Sequence, residues 1–317
     1  MFLETFQTTF FAVFQVLLLA VSGYVLVRRG FFDERGLNQL SGLVINFLLP
    51  LFIYYQMTTS FDFDGYPRWW IFPLMSFGVT LAGFVLGHLL SLVAAKGELA
   101  KREFTALVTF QNAGNIPLMI VTTLFTGMLL KTLYVYILLF VIGFNLLIWS
   151  LGTMILVKDS ASKLSKTQVL NPPFIATWFS LGMIYSGWHA YVPQSFLKPV
   201  ELFGDCALPL AMLVVGGNLA TIPILDVDKK AIVWVVLAKL IVMPLLALGV
   251  VYYLKLDFAL GFLILLEAAV PCANSLSLIT RYCNMEGKFI NQGMFYGHVL
   301  SILTIPFFLT LYMVLVK

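Results

Sequence analysis

Phe110-Gln-Asn-Ala-Gly-Asn-Ile-Pro-Leu118 and Glu267-Ala-Ala-Val-Pro-Cys-Ala-Asn-Ser275 decide the fold. Each is a place, one per half of the chain, where an apolar stretch breaks around a proline set among small polar residues. A proline inside a helix lacks its N–H and clashes with the preceding turn, freeing backbone carbonyls, and Gly114 weakens the first stretch further. Hydrocarbon does not tolerate freed carbonyl and N–H groups, so such a break persists only beside other protein or a wet cavity. Interrupted membrane helices in corresponding positions of two halves point to the substrate site of an inverted-repeat secondary transporter.

Composition agrees that lipid is the main solvent. Hydrophobic residues make up 61% of the chain and charged residues 11%, against about 25% charged in a soluble domain. Apolar segments recur at 6–27, 37–57, 70–94, 103–125, 132–157, 172–188, 195–222, 230–254, 257–281 and 288–316. Each is long enough to cross about 30 Å of hydrocarbon. The expectation is an all-α polytopic membrane protein with ten transmembrane helices. The first segment follows Met1-Phe-Leu-Glu-Thr-Phe, with no basic stretch and no small-residue cleavage site, so it reads as a retained helix rather than a signal peptide.

Charge orients the chain. Apart from Lys239, every Lys and Arg lies near a segment end. Thirteen fall in the odd-numbered connections, among them Arg28, Arg29, Lys101, Arg102, Lys163, Lys229 and Lys288. Five, Arg68, Lys131, Lys198, Lys255 and Lys317, fall in the even-numbered ones and at the C-terminus. By the positive-inside rule the odd connections are cytoplasmic, which gives a multi-pass protein of the cell membrane with both termini on the extracytoplasmic side. The mild basic excess needs no nucleic acid. The longest hydrophilic connection, 158–171, ends at Pro172-Pro173 and divides the chain into a first five-helix repeat (1–157) and a second (172–317). Five is odd, so the halves insert with opposite orientation. Asn46-Phe-Leu-Leu-Pro50 in helix 2 and Asp205-Cys-Ala-Leu-Pro209 in helix 7 echo one another, and their prolines read as simple kinks.

In such a repeat the breaks in helices 4 and 9 meet near the midplane. Each offers a half-helix N-terminus with unpaired N–H groups and roughly half a positive charge, an arrangement that favours a carboxylate. Asn112, Asn115, Asn274, Ser275 and Ser277 supply amides and hydroxyls there, with Pro117 and Pro271 at the waist. The plainer alternative is that the asparagines only stitch helices together by interhelical hydrogen bonds.

The Asn112-Ala-Gly-Asn-Ile-Pro117 segment resembles the auxin efflux carrier (PIN-like) family and its bacterial members. So do the Ala268-Ala-Val-Pro271 break, followed by a helix ending Thr280-Arg-Tyr-Cys-Asn284, and the closing Ser301-Ile-Leu-Thr-Ile-Pro306. The resemblance spans the whole chain and implies an NhaA-like fold. Helices 1, 2, 6 and 7 would form a scaffold that makes a homodimer, chiefly through helices 2 and 7. Helices 3 to 5 and 8 to 10 would form a moving domain in which helices 4 and 9 cross. It also implies small organic anions as substrates, auxin-like or dicarboxylic acids. The chain lacks the long central loop of the long plant carriers, so their phosphoregulation does not carry over. The Asn112-to-Pro117 spacing is shorter than in bacterial members, which leaves open which asparagine touches substrate.

Ionisable residues within spans cost at least about 2.5 kcal/mol at a helix centre unless paired or hydrated. Glu267 stands one turn before Pro271, Lys239 is central in helix 8, and Asp205 is early in helix 7. Glu267 and Lys239 form either a structural pair or part of a coupling site for a proton or sodium ion. Asp205 is either hydrated at the membrane interface or part of coupling. His88 and His298 read as hydrogen-bonded packing residues. Cys206, Cys272 and Cys283 have no zinc-type spacing, and no cofactor, P-loop or Gly-x-Ser-x-Gly elbow appears. A passive channel or a membrane sensor remains the alternative to a carrier, with an intramembrane enzyme a distant third.

Overall fold

The structure, a computed structural model, describes residues 2–156, 171–222, 228–282 and 285–315. The 158–171 connection, apart from Asn171, lies outside the described residues, as do Cys283 and Asn284. Among the described residues all regular structure is helical, apart from one isolated backbone bridge. The elements are α1 (Phe2–Arg28), α2 (Glu34–Ser60), α3 (Ile71–Ala94), α4 (Glu98–Thr109), α5 (Asn115–Leu124) and α6 (Gly127–Leu156). They continue with α7 (Pro172–Tyr185), α8 (Gln194–Ala220), α9 (Lys229–Leu254), α10 (Phe258–Ala269), α11 (Ser275–Tyr282) and α12 (Lys288–Leu315).

Seven of these, α1, α2, α3, α6, α8, α9 and α12, are long and apolar enough to cross a membrane by length and composition. The protein is a multi-pass membrane protein. The segments expected at 103–125 and 257–281 are each two short helices around the quoted breaks, α4 with α5 and α10 with α11. The segment expected at 172–188 is the 14-residue α7.

Local chemistry explains the boundaries. Asp33, Asn171, Asp228 and Asp257 each turn a side-chain oxygen back onto a backbone N–H in the first turn, capping α2, α7, α9 and α10. Pro172 and Pro173 open α7, where a missing N–H leaves nothing unsatisfied. Inside α2 and α9 a π-helical turn, Val44–Leu48 or Ala238–Val242, comes just before Pro50 or Pro244. The widened turn accommodates a ring that cannot donate to the carbonyl one turn back. Pro209 follows an interruption of α8 at Cys206.

Small residues bring the long helices into backbone contact. Gly216 of α8 lies against the Ala20 carbonyl of α1, and Gly23 of α1 against the Leu213 carbonyl of α8; neither site has room for a Cβ. In α3, Gly83-Phe-Val-Leu-Gly87 faces α4, where a Cβ on either glycine would sit 3.0 Å from the Thr109 or Thr105 carbonyl oxygen. Lipid tails are as apolar as leucine, so helices in a membrane associate through close packing of this kind. Around the crossings, α2 packs on α7, α3 on α4 and α6, α9 on α10 and α12, and α1 on α8 and α12.

Candidate functional site

The chain leaves α4 at Thr109 and re-enters helix at Asn115; it leaves α10 at Ala269 and re-enters at Ser275. Between these points the two breaks run antiparallel and pair. Gln111 bridges Cys272, the Asn112 N–H donates to the Pro271 carbonyl at 2.8 Å, and the Ala273 N–H donates to the Phe110 carbonyl at 3.0 Å. Each break thus satisfies backbone groups of the other, which is what a break needs where no water reaches. Pro271 has no N–H to offer, but its carbonyl, free of any helix, is the acceptor that Asn112 uses.

Beside this ribbon lies a cavity of about 200 Å³. Asn115, the first residue of α5, and Ser275, the first of α11, both line it, with Asn274 between α10 and α11. Residues at two helix N-termini from opposite halves of the chain therefore line one cavity, and among the described residues no charged side chain lines it. The partial positive charge of each terminus suits an anionic group there, although the Leu276 and Ser277 N–H groups already donate to the Ala273 and Asn274 carbonyls. Asn112, Pro117 and Pro271 are buried in the ribbon and the first turn of α5 rather than in the cavity wall. The Asn112 Nδ2 group has no hydrogen-bond partner among the described residues.

Sequence reasoning missed half of the polar lining. Asn38 and Ser41 of α2, Asn218 of α8 and Asn291 of α12 face the same space as Asn115 and Asn274. Each is a polar residue within or beside an apolar run, a weak signal without knowing which helices adjoin.

Glu267 and Lys239 are both fully enclosed, at 0% and 1% exposure. Lys239 sits in the π-helical turn of α9 and donates from Nζ to the Val108 carbonyl, near the C-terminus of α4, at 3.2 Å. A cation at the negative end of a helix is electrostatically favoured. Lys239 lies within electrostatic reach of Glu267 and Cys272. Neither Glu267 oxygen has a hydrogen-bond partner among the described residues, nor do the amide atoms of Gln111. No salt bridge within 4.0 Å joins Lys239 to Glu267 in this conformation.

Asp205 is elsewhere. It ends the first part of α8, is exposed, and does not line the cavity. Near it lies a cluster that the sequence did not reveal: the Tyr55 hydroxyl donates to Glu201 at 2.8 Å and Lys198 Nζ donates to the other Glu201 oxygen at 2.7 Å, tying α2 to α8. His298 is a buried packing residue whose Nδ1 donates to the Met294 carbonyl at 2.7 Å.

Comparison with known proteins places this architecture. The family described as membrane transport protein matches residues 8–165 and 157–309, nearly the whole chain. An uncharacterized transporter of Methanothermobacter thermautotrophicus is 23% identical over 301 residues, covering 93% of this chain and 95% of its own. Auxin efflux carrier component 8 of Arabidopsis thaliana is 25% identical over 49% of this chain and 42% of its own, and Protein PIN-LIKES 1 of the same plant is 30% identical over 37% and 26%. The alignments with the two plant proteins thus span less than half of either. Seven helices long and apolar enough to cross a membrane, two paired breaks among shorter helices, and a family match along nearly the full length agree: this chain belongs to the membrane transport protein family that includes the auxin efflux carriers, and it is a transporter, not an enzyme.

Proposed function

We propose that this transporter is a secondary carrier of a small organic anion, a carboxylate of the auxin-like or dicarboxylic kind, bound in the cavity beside the paired breaks. The observation that carries the reading is that the first residues of two helices, Asn115 and Ser275, line one cavity whose described lining is amide-rich and carries no charge. Asn274 completes the contact set, while Asn112, Pro117 and Pro271 hold the ribbon that positions it. The name of the plant relative, an auxin efflux carrier, supports a carboxylate substrate.

In this reading the ten segments are two inverted five-helix repeats, 1–157 and 172–317, joined by a cytoplasmic 158–171 connection. The contact pattern supports it: helix 1 packs on helix 7 (α1 on α8) and helix 2 on helix 6 (α2 on α7), pairs that an exchange of repeats would interconvert. Helices 3 to 5 and 8 to 10 then move as a body against a scaffold of helices 1, 2, 6 and 7, exposing the cavity to each side in turn. The scaffold forms a homodimer through helices 2 and 7, whose exposed Phe47 and Phe203 already stack edge to face at 5.4 Å. The protein sits in the cell membrane with both termini outside. Glu267, with Lys239 nearby, carries a coupling proton or helps hold a sodium ion, or else serves only to balance the lysine; Asp205 is hydrated at the interface.

Thermal-shift screening of organic acids on purified protein tests the site, since ligand at a hundred times its dissociation constant stabilises by about 2.7 kcal/mol. Asn115→Ala and Asn274→Ala should weaken binding by about 1–3 kcal/mol, the range for a hydrogen bond to a neutral or charged group. Normal binding and transport in both would end the assignment. Counterflow in proteoliposomes separates a carrier from a channel or a sensor: preloaded substrate accelerates uptake only through a carrier.

A further inference from the structure

A second cavity, of about 260 Å³, lies between α1, α5, α8 and α12. Its wall on α1 is Val13, Val16, Leu17, Ala20, Val21 and Tyr24, one face of the helix. On α12 it runs from Ile305 to Phe295. The Thr9 hydroxyl meets the Thr310 hydroxyl at 2.7 Å, and Tyr24 and Phe295, each fifteen residues further from that contact, line the same cavity, so along it the two helices run antiparallel. The cavity is therefore a slot, about 16 Å long at 1.5 Å per residue along α1. It is apolar except for Tyr24, His298 and Ser301. The Ser301 hydroxyl already donates to the His298 carbonyl, and His298 Nδ1 to Met294. Val21 and Val299, 52% and 43% exposed, form its open side, which faces the same surroundings as the other exposed apolar side chains of these helices.

One end of the slot is charged. The Tyr24 hydroxyl accepts a hydrogen bond from Arg28 Nε at 3.3 Å, and the guanidinium lies 5.4 Å from the centre of the Tyr24 ring. Arg28 and Arg29 are exposed at the end of α1, and Arg28 keeps donors free for a further acceptor. An apolar slot of acyl-chain shape ending in an arginine matches an amphiphile with an anionic head. His298 Nε2 has no hydrogen-bond partner among the described residues and could take one water, but the rest of the lining is apolar, and a free phosphate would gain nothing from it.

We propose that this slot binds one acyl chain of an anionic membrane lipid, with its phosphate on Arg28. The bound chain would separate α1 and α8 from α5 and α12. In the proposed transport cycle these pairs belong to the scaffold and the moving domain, so the lipid would set how readily one slides past the other. Binding itself does not depend on that cycle.

The test uses the full chain in nanodiscs carrying phosphatidylglycerol or phosphatidylcholine with a diazirine at mid-chain, with adducts mapped by mass spectrometry. Phosphatidylglycerol should label the 13–24 and 295–305 stretches at least fivefold more than phosphatidylcholine does. Arg28→Gln should bring it down to the phosphatidylcholine level, and Val299→Trp, which narrows the mouth at a residue with room outside, should reduce labelling by both lipids. Three results would each overturn the proposal: equal labelling by the two lipids in the parent protein, labelling spread evenly over exposed positions such as Leu81 and Leu89, or labelling unchanged in both variants. The parent comparison stands even if a variant fails to fold. Because labelling needs no substrate, it can fail while the anion site survives, and the reverse.

Discussion

Gly216→Ala puts the packing account to its hardest test. A Cβ on Gly216 would overlap the Ala20 carbonyl oxygen and lie 2.8 Å from Ala20 Cα. Optimal carbon–carbon contact is about 3.5–4.0 Å, so α1 and α8 must part by about 1 Å. Both atoms belong to backbone and cannot swing aside. A gap of 0.5–1 Å forfeits a quarter to a half of each contact of about 0.1–0.2 kcal/mol, and over several dozen atom pairs the loss is about 2–3 kcal/mol, within the range for overpacked cores. The gain in helix propensity, about 0.5–1 kcal/mol, offsets only part of it. Gly249→Ala supplies the control, because a Cβ there meets nothing within 4 Å and the propensity gain stands alone. In thermal unfolding of detergent-purified protein, Gly216→Ala should melt several degrees below the parent and Gly249→Ala at or slightly above it. If Gly216→Ala melts with Gly249→Ala, the backbone contact of α1 and α8 carries no stability and the reasoning fails.

Three further outcomes are expected. Lys239→Met should destabilise by about 1–3 kcal/mol by stranding the Val108 carbonyl. Combined with Glu267→Gln it should cost less than the sum of the two, and strict additivity in a double-mutant cycle would show that the pair is uncoupled. Glu267→Gln alone should keep transport and lose its pH dependence if the carboxyl carries a proton; an unchanged pH profile with normal rate would remove Glu267 from coupling. Cysteines placed in the 158–171 connection should be shielded from impermeant reagent in intact cells, and external labelling there would reverse the proposed topology.

The positions of the helical segments and of both breaks could be read from sequence, because each depends on local chemistry. Lipid demands long apolar runs, and proline with glycine and small polar neighbours ends a helix wherever it stands. The breaks themselves fall within a residue or two of the quoted segments. What could not be read was lateral. Gln111 looked like a neighbour of Asn112, yet it is the residue that bridges Cys272. Asn38 and Asn218 join Asn115 and Asn274 only because α2 and α8 happen to flank the break. Glu267 and Lys239 were recognisable as buried charges on consecutive helices, but a lysine reaches far, and its hydrogen bond goes to Val108 on another element. Asp205, read as either hydrated at the membrane interface or part of coupling, is exposed on the surface of the chain.

The ribbon between Phe110–Asn112 and Pro271–Ala273 also has a consequence for synthesis. About half of the chain separates its two strands, so the ribosome completes the first break long before its partner exists. Until then the Phe110 carbonyl and the Asn112 N–H have no mate, and lipid cannot supply one. Before the second half arrives, those two groups need water or other protein as partners, so the first half alone should be the less stable in lipid at its break. The apolar helices carry each half into the bilayer, but the backbone groups at the two breaks are satisfied only when the halves meet, so the ribbon ties the two halves into one folding unit.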